Sequence, residues 1–154
     1  MSERRTRAFL AVPLLATTLA GCGAGAVAVP VPAADATTTR LCEGLRLPER
    51  VHGEKLRGTS PASPLTAAWG SPAIALRCGV PLPAGLRPTS QLQDINGLSW
   101  FGVPADRPVT WTAVGRQAYV EVTVPPKYAP PGDVLIELGE AIAATIPAKP
   151  EGRL

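Results

Sequence analysis

Histidine is almost absent from this chain: His52 is the only one, and no Gly-x-Ser-x-Gly elbow exists. A histidine-activated nucleophile therefore has a single base to draw on. That base lies in a stretch punctuated by Gly53, Gly58, Pro61, Pro64, Gly70 and Pro72, so His52 reads as an ordinary surface residue. Cysteine is scarce as well. Cys22, Cys42 and Cys78 form no Cys-x-x-Cys pair, and with one histidine beside them neither a zinc site nor a dithiol redox site is expected. Glycine-rich phosphate loops are missing; the 15 glycines mark turns. No cofactor or metal follows from the residues, and no catalytic residue can be named. Acid–base chemistry would need two convergent carboxylates, and the spacing of Asp94, Asp106 and Glu121 brings no two of them together.

What the N-terminus does hold is specific. Arg4, Arg5 and Arg7 precede a charge-free apolar run from Ala8 to Ala20, which contains Pro13. The run is shorter than the roughly 20 residues a spanning helix needs. A basic start, a short apolar centre and small residues before a break are the parts of a secretory signal. The break, Leu19-Ala20-Gly21-Cys22, resembles the lipobox of bacterial lipoproteins. That resemblance implies cleavage after Gly21, a lipid on Cys22 and an extracytoplasmic protein held on the membrane by that lipid.

Without residues 1–21 the chain has 12 basic and 11 acidic side chains, so its basic pI belongs mostly to the signal. No Lys or Arg cluster remains to argue for nucleic acid. With Cys22 lipidated, Cys42 and Cys78 are left as a disulfide pair in an oxidising compartment. Such a bridge would stabilise a domain this small by roughly 3–4 kcal/mol on the chain-entropy model.

Residues 22–39, rich in Ala, Val, Pro and Thr, read as a tether; residues 40–147 read as one domain and 148–154 as a tail. Leu41, Cys42, Leu45 and Leu47 suggest a short helix ending near Pro48. Residues 52–72 suggest an irregular surface run. Residues 73–78 alternate as a strand, with Cys78 facing inward and Arg77 outward. The clearest pattern is a hairpin of residues 109–114 and 117–124 about Gly115-Arg116. Pairing Val114 with Gln117 sets Trp111 opposite Val120. It leaves Thr110, Thr112, Tyr119, Glu121 and Thr123 on the other face. Residues 98–103 precede it as a strand. Asp133 is placed to cap a last helix with Val134, Leu135, Leu138, Ala141, Ile142 and Ile146 as its apolar stripe. The fold class expected is α+β: an antiparallel sheet of about four strands, two helices packed on one face, and one disulfide.

Several segments stand together in a recognisable order: Ala68-Trp69-Gly70-Ser71-Pro72, Leu76-Arg77-Cys78-Gly79-Val80-Pro81, Asn96-Gly97-Leu98-Ser99-Trp100, residues 115–122 and Tyr128. Over roughly residues 40–147 the chain resembles the actinobacterial family of unknown function DUF3515. The resemblance implies an envelope location in a high-GC Gram-positive bacterium and the disulfide. It implies no activity.

The set with most chemistry is Trp69, Arg77, Trp100, Tyr119 and Glu121. An arginine among aromatics could clamp an anionic or sugar-linked ligand. Against this stands an Arg77–Glu121 bridge across the sheet with both tryptophans in the core. The function expected is a non-catalytic envelope module for a protein partner or cell-wall component, marked by an exposed patch around Trp69, Trp100 and Tyr128. The alternative is a small cell-wall hydrolase or transferase with an atypical site.

Overall fold

The computed structural model describes residues 25–150 apart from 108, together with residues 152 and 153. The signal reading and the lipidation of Cys22 lie outside the described residues. Within them the fold starts early. Val27–Ala28 (β1) pairs in parallel with Thr59–Ser60 (β4), and Val29 and Pro32 are buried. The expected tether over 22–39 is therefore corrected from Val27 onward: the apolar residues that suggested a linker are covering the domain.

Helix α1, Ala36–Glu43, also begins before its expected place. The cause is Asp35, whose Oδ1 accepts the backbone N–H groups of Thr37 and Thr38 at 2.8 and 3.0 Å. These bonds satisfy donors the first turn cannot, which is what an N-cap does. Thr38 Oγ1 donates to Oδ2 at 2.6 Å, and the hydrogen bonds, this one foremost, hold the Asp35 carboxyl below its ordinary pKa. Leu45 and Leu47 fall beyond the helix but still pack on the core.

The stretch expected to be irregular follows Arg50–Val51 (β2) directly and contains Glu54–Arg57 (β3) and Thr66–Trp69 (β5). Its glycines and prolines sit at strand ends rather than dissolving the strands. His52 (φ 50°) and Gly53 (φ 76°) form the two-residue turn between β2 and β3. The chain continues through Ile74–Val80 (β6), Gln93–Ile95 (β7), Leu98–Val103 (β8), Thr110–Val114 (β9) and Tyr119–Thr123 (β10). A single 3-10 turn, Pro126–Tyr128, leads into helix α2, Gly132–Thr145. Asp133 stands in the first turn of α2 rather than at its cap, which is Pro131.

The main sheet has eight strands, not about four, in the order β2-β3-β5-β6-β10-β9-β8-β7, every pair antiparallel. Cross-strand register carries one apolar face from Trp69 and Ile74 through Leu76, Val122 and Trp111, with Trp100, Ala113, Val120 and Cys78 in the next row. Both helices lie on that face. α1 is fastened by the Cys42–Cys78 disulfide, as expected. α2 brings Gly139 against Leu98 and Trp100. The α+β class stands.

Within the β9–β10 hairpin, Val122 and not Val120 opposes Trp111. The turn takes in residues 115–118, because Arg116 bridges Ala148 and Gln117 donates its N–H to Pro147 O, while Ala118 is buried. A slip of two residues preserves which side chains share a face, so the inward and outward sets survive.

Candidate functional site

Arg77 and Glu121 stand directly opposite one another on β6 and β10, on the face away from the helices. Arg77 Nη1 meets Glu121 Oε1 at 2.9 Å, and Arg77 Nε donates to Pro30 O at 3.0 Å. The guanidinium is thus engaged on two sides, by its strand neighbour and by the N-terminal segment crossing over it. A groove of about 400 Å³ lies above the pair, walled by Pro81–Gly85, Phe101 and Val103. Tyr119, at the irregular start of β10, takes a hydrogen bond from Lys149 Nζ, which also lies 4.3 Å from the ring centre.

The tryptophans expected beside this pair are elsewhere. Trp69 and Trp100 are fully buried on the opposite face, and Tyr128 is nearly so. The exposed patch expected around Trp69, Trp100 and Tyr128 is therefore corrected: alternation along β5 and β8 turns both tryptophans under the helices. Arg77 and Glu121 come together, Tyr119 shares their face, and Trp69 and Trp100 contribute nothing to it.

The residues that carry the sequence resemblance turn out to hold strands and turns together. Trp69 Nε1 donates to Pro48 O at 3.0 Å. Tyr128 Oη lies 2.8 Å from Pro72 O, to which it donates, and Lys127 Nζ bonds both Glu54 Oε1 and Ser71 O at 3.0 Å. The Lys127 bond is the main cause holding the Glu54 carboxyl below its ordinary pKa. Gly70 (φ +71°) lies beneath this knot: a Cβ there would come within 2.6 Å of Tyr128 Oη and 2.7 Å of Glu54 Cγ. Gly79 (φ +89°) is the extra residue where β6 bulges against β10, and a Cβ there would come within 2.7 Å of Ala34 Cβ.

His52 projects from the β2–β3 turn, with its backbone N–H on Glu137 Oε2 at 3.0 Å and its ring edge-on to Tyr128. Asp94 accepts from the N–H of Gly97, bracing the Asn96-Gly97 turn. It is three strands from Glu121, about 14 Å at ordinary strand spacing, beyond the separation of a carboxylate pair acting on one bond. Among the described residues no three His, Cys, Asp or Glu side chains group to hold a metal ion, and no helix is long and apolar enough to cross a membrane.

A second depression, of about 620 Å³, opens at the other end of the sheet. Strand β7 stops after three residues while β8 runs for six, so the edge of β8 from Phe101 to Val103 has no strand beside it. Ser90, Gln91 and Gln93 wall the space, and Trp100, Gly102 and Trp111 line it from the sheet. Among the described residues no charged side chain lines it. Gly102 sits directly opposite Trp111 and offers it no side chain. The indole nitrogens of Trp100 and Trp111 are both buried, and neither has a hydrogen-bond partner among the described residues. A buried donor left unmet costs about 1–3 kcal/mol, so these two, on residues that line one opening, stand out from the rest of the core. Sequence reasoning flagged Trp100 for exposure it lacks and put Trp111 in the core, where it is. What it missed was the shared opening, whose one legible trace is Gly102 amid an otherwise bulky strand.

A family model described as "Protein of unknown function (DUF3515)" matches residues 7–151. No curated protein and no solved structure matches the chain.

Proposed function

This chain belongs to the DUF3515 family of proteins of unknown function, and on that premise we propose a membrane-anchored binding module of the cell envelope. The basic start, the apolar run and Leu19-Ala20-Gly21-Cys22 support export and anchoring outside the cytoplasmic membrane, and the family resemblance supports an actinobacterial source. The ligand site is the depression at the β8 edge. The observation that carries this reading is the pair of unpartnered, buried indole donors, Trp100 and Trp111, bordering one uncharged opening.

Uncharged walls with amide and hydroxyl groups, and aromatic rings beneath, favour a neutral ligand rich in acceptor oxygens. A glycan segment of the cell wall has that chemistry: hydroxyl and ring oxygens for the donors, C–H faces for the rings. The Arg77–Glu121 groove is the weaker site, because its cation already has two partners.

The test is intrinsic fluorescence. Two of the three tryptophans border the depression, so titrating the purified domain with peptide-free wall glycan chains should give a saturable change in emission. Gln91→Ala and Gln93→Ala alter exposed wall residues and should weaken that change several-fold without altering the melting temperature. An emission that does not respond to glycan, or a response that both variants retain in full, would refute the site.

A further inference from the structure

We infer that the β2–β3 hairpin and the start of β1 form a bilayer-docking edge, with Leu56 as its apolar contact and Arg50 and Lys55 as its cationic ones. The inference rests on the anchored reading above. Its first support is how little chain separates the anchor from the fold. Arg57 Nη2 donates to Gly25 O at 2.6 Å, and Val27 donates its N–H to Gly58 O at 2.8 Å. From Cys22 to Gly25 is three residues, at most about 11 Å of extended chain. A compact domain of this size has a radius of gyration of about 14 Å. The leash is thus shorter than the domain is wide, and the surface around Gly25 must face the lipid.

What stands on that surface fits a headgroup layer. Leu56 is 48 % exposed although it lies in a strand, directly before the arginine that holds Gly25. Arg50 and Lys55 are exposed and opposite one another across the hairpin, and with Leu56 and Glu49 they line a shallow hollow. Two cations, Arg50 and Lys55, therefore face one acid there, since Arg57 is held by Gly25 O and Gly70 O and Glu54 by Lys127. Basic side chains beside a membrane are drawn to anionic lipids, and an exposed leucine among them can enter the interface. The partner committed to is an anionic lipid surface. Docking here would fix the domain's orientation and turn the other end of the sheet outward.

The test uses the lipidated chain purified from membranes and placed in vesicles of phosphatidylglycerol and phosphatidylcholine. With Cys22 lipidated and Cys42–Cys78 bridged, a single added cysteine takes the only fluorescent label. A label on Leu56→Cys should be quenched by lipids carrying a nitroxide near the headgroup. A label on Leu82→Cys, past the far end of β6 and about 20 Å of strand away, should not be. Lys55→Cys serves as a second position if the first misfolds. Arg50→Glu with Lys55→Glu should relieve the quenching. Lipid on Cys22 by intact mass but no quenching at 55 or 56, or equal quenching at 82, would overturn the docking alone. Membrane-extracted protein with no lipid on Cys22 would overturn the anchor and the docking together.

Discussion

On the covered face of the sheet, Trp69, Leu76, Cys78, Trp100 and Val122 are shut from water beneath two helices; on the other, Arg77, Glu121, Thr110 and Thr123 stand partly in it. The same strands supply both sets, one residue apart. On the covered face stability comes from apolar area removed from water and from close packing, so a defect leaves a cavity. On the open face the polar groups satisfy one another, and water can replace either partner. The depression at β8 is where these regimes meet, because two covered-face tryptophans border an opening at the sheet edge. The comparison predicts large losses from covered-face changes and small ones from open-face changes.

Trp100→Ala should be the most damaging substitution. Truncating a fully buried tryptophan costs about 3–5 kcal/mol, read as a lowered midpoint in urea. Trp100→Phe sharpens the point, since it also removes an indole donor that has no partner and should cost well under half as much. If Trp100→Ala cost only ~1 kcal/mol, the site would be collapsing or filling with water and the covered face would not be a packed core there.

Next comes the disulfide. Replacing Cys42 and Cys78 by serine frees a loop whose ends are 36 residues apart and leaves α1 held only by packing. The expected loss is roughly 3–4 kcal/mol in the reduced-midpoint comparison. Melting temperatures that match with and without reductant would show that α1 docks without it.

Gly70→Ala should follow, at about 1–3 kcal/mol, because an added methyl meets Tyr128 and Glu54 while φ stays positive. Gly53→Ala is its control: φ is +76° there too, but nothing stands within 4 Å of the added carbon. Only the backbone cost remains, about 1 kcal/mol. Equal losses at the two positions would mean that the knot around Tyr128 yields easily.

The faces were legible in the sequence, and the extent of the sheet was not. Alternation in residues 73–78 and 109–124 assigns Cys78 inward and Arg77 and Glu121 outward whatever the register, because the observed slip was two residues. Reading Gly115-Arg116 as a complete turn overlooked partners at Pro147 and Ala148, far away in sequence. Strands β3 and β5 were hidden by punctuation: His52-Gly53 is a turn between strands, and Gly70 is a residue under a tyrosine. Asn96-Gly97 was a missed signal, since that dipeptide is a strong two-residue hairpin former and does join β7 to β8. The site was least legible of all. Periodicity puts Trp100 and Trp111 inside, but no pattern in one chain reports that their nitrogens lack acceptors.

The open face gives the smallest predicted effect and the most direct test of the contrast. Arg77 and Glu121 side chains are 30 % and 23 % exposed, so water screens their attraction and can solvate either one alone. A double-mutant cycle with Arg77→Ala, Glu121→Ala and both together should return a coupling of about 0.2–1 kcal/mol, shrinking as salt is added. Arg77→Ala carries a further loss outside the cycle, because Pro30 O also loses its donor and the N-terminal segment loosens over the sheet. That term should resist salt and speed hydrogen exchange at Val29, whose N–H bonds Ser60 O. A coupling above about 3 kcal/mol, insensitive to salt, would instead mark a desolvated pair whose loss strands a charge. The open face would then be as closed as the other, and the groove above it would be part of the core rather than a surface.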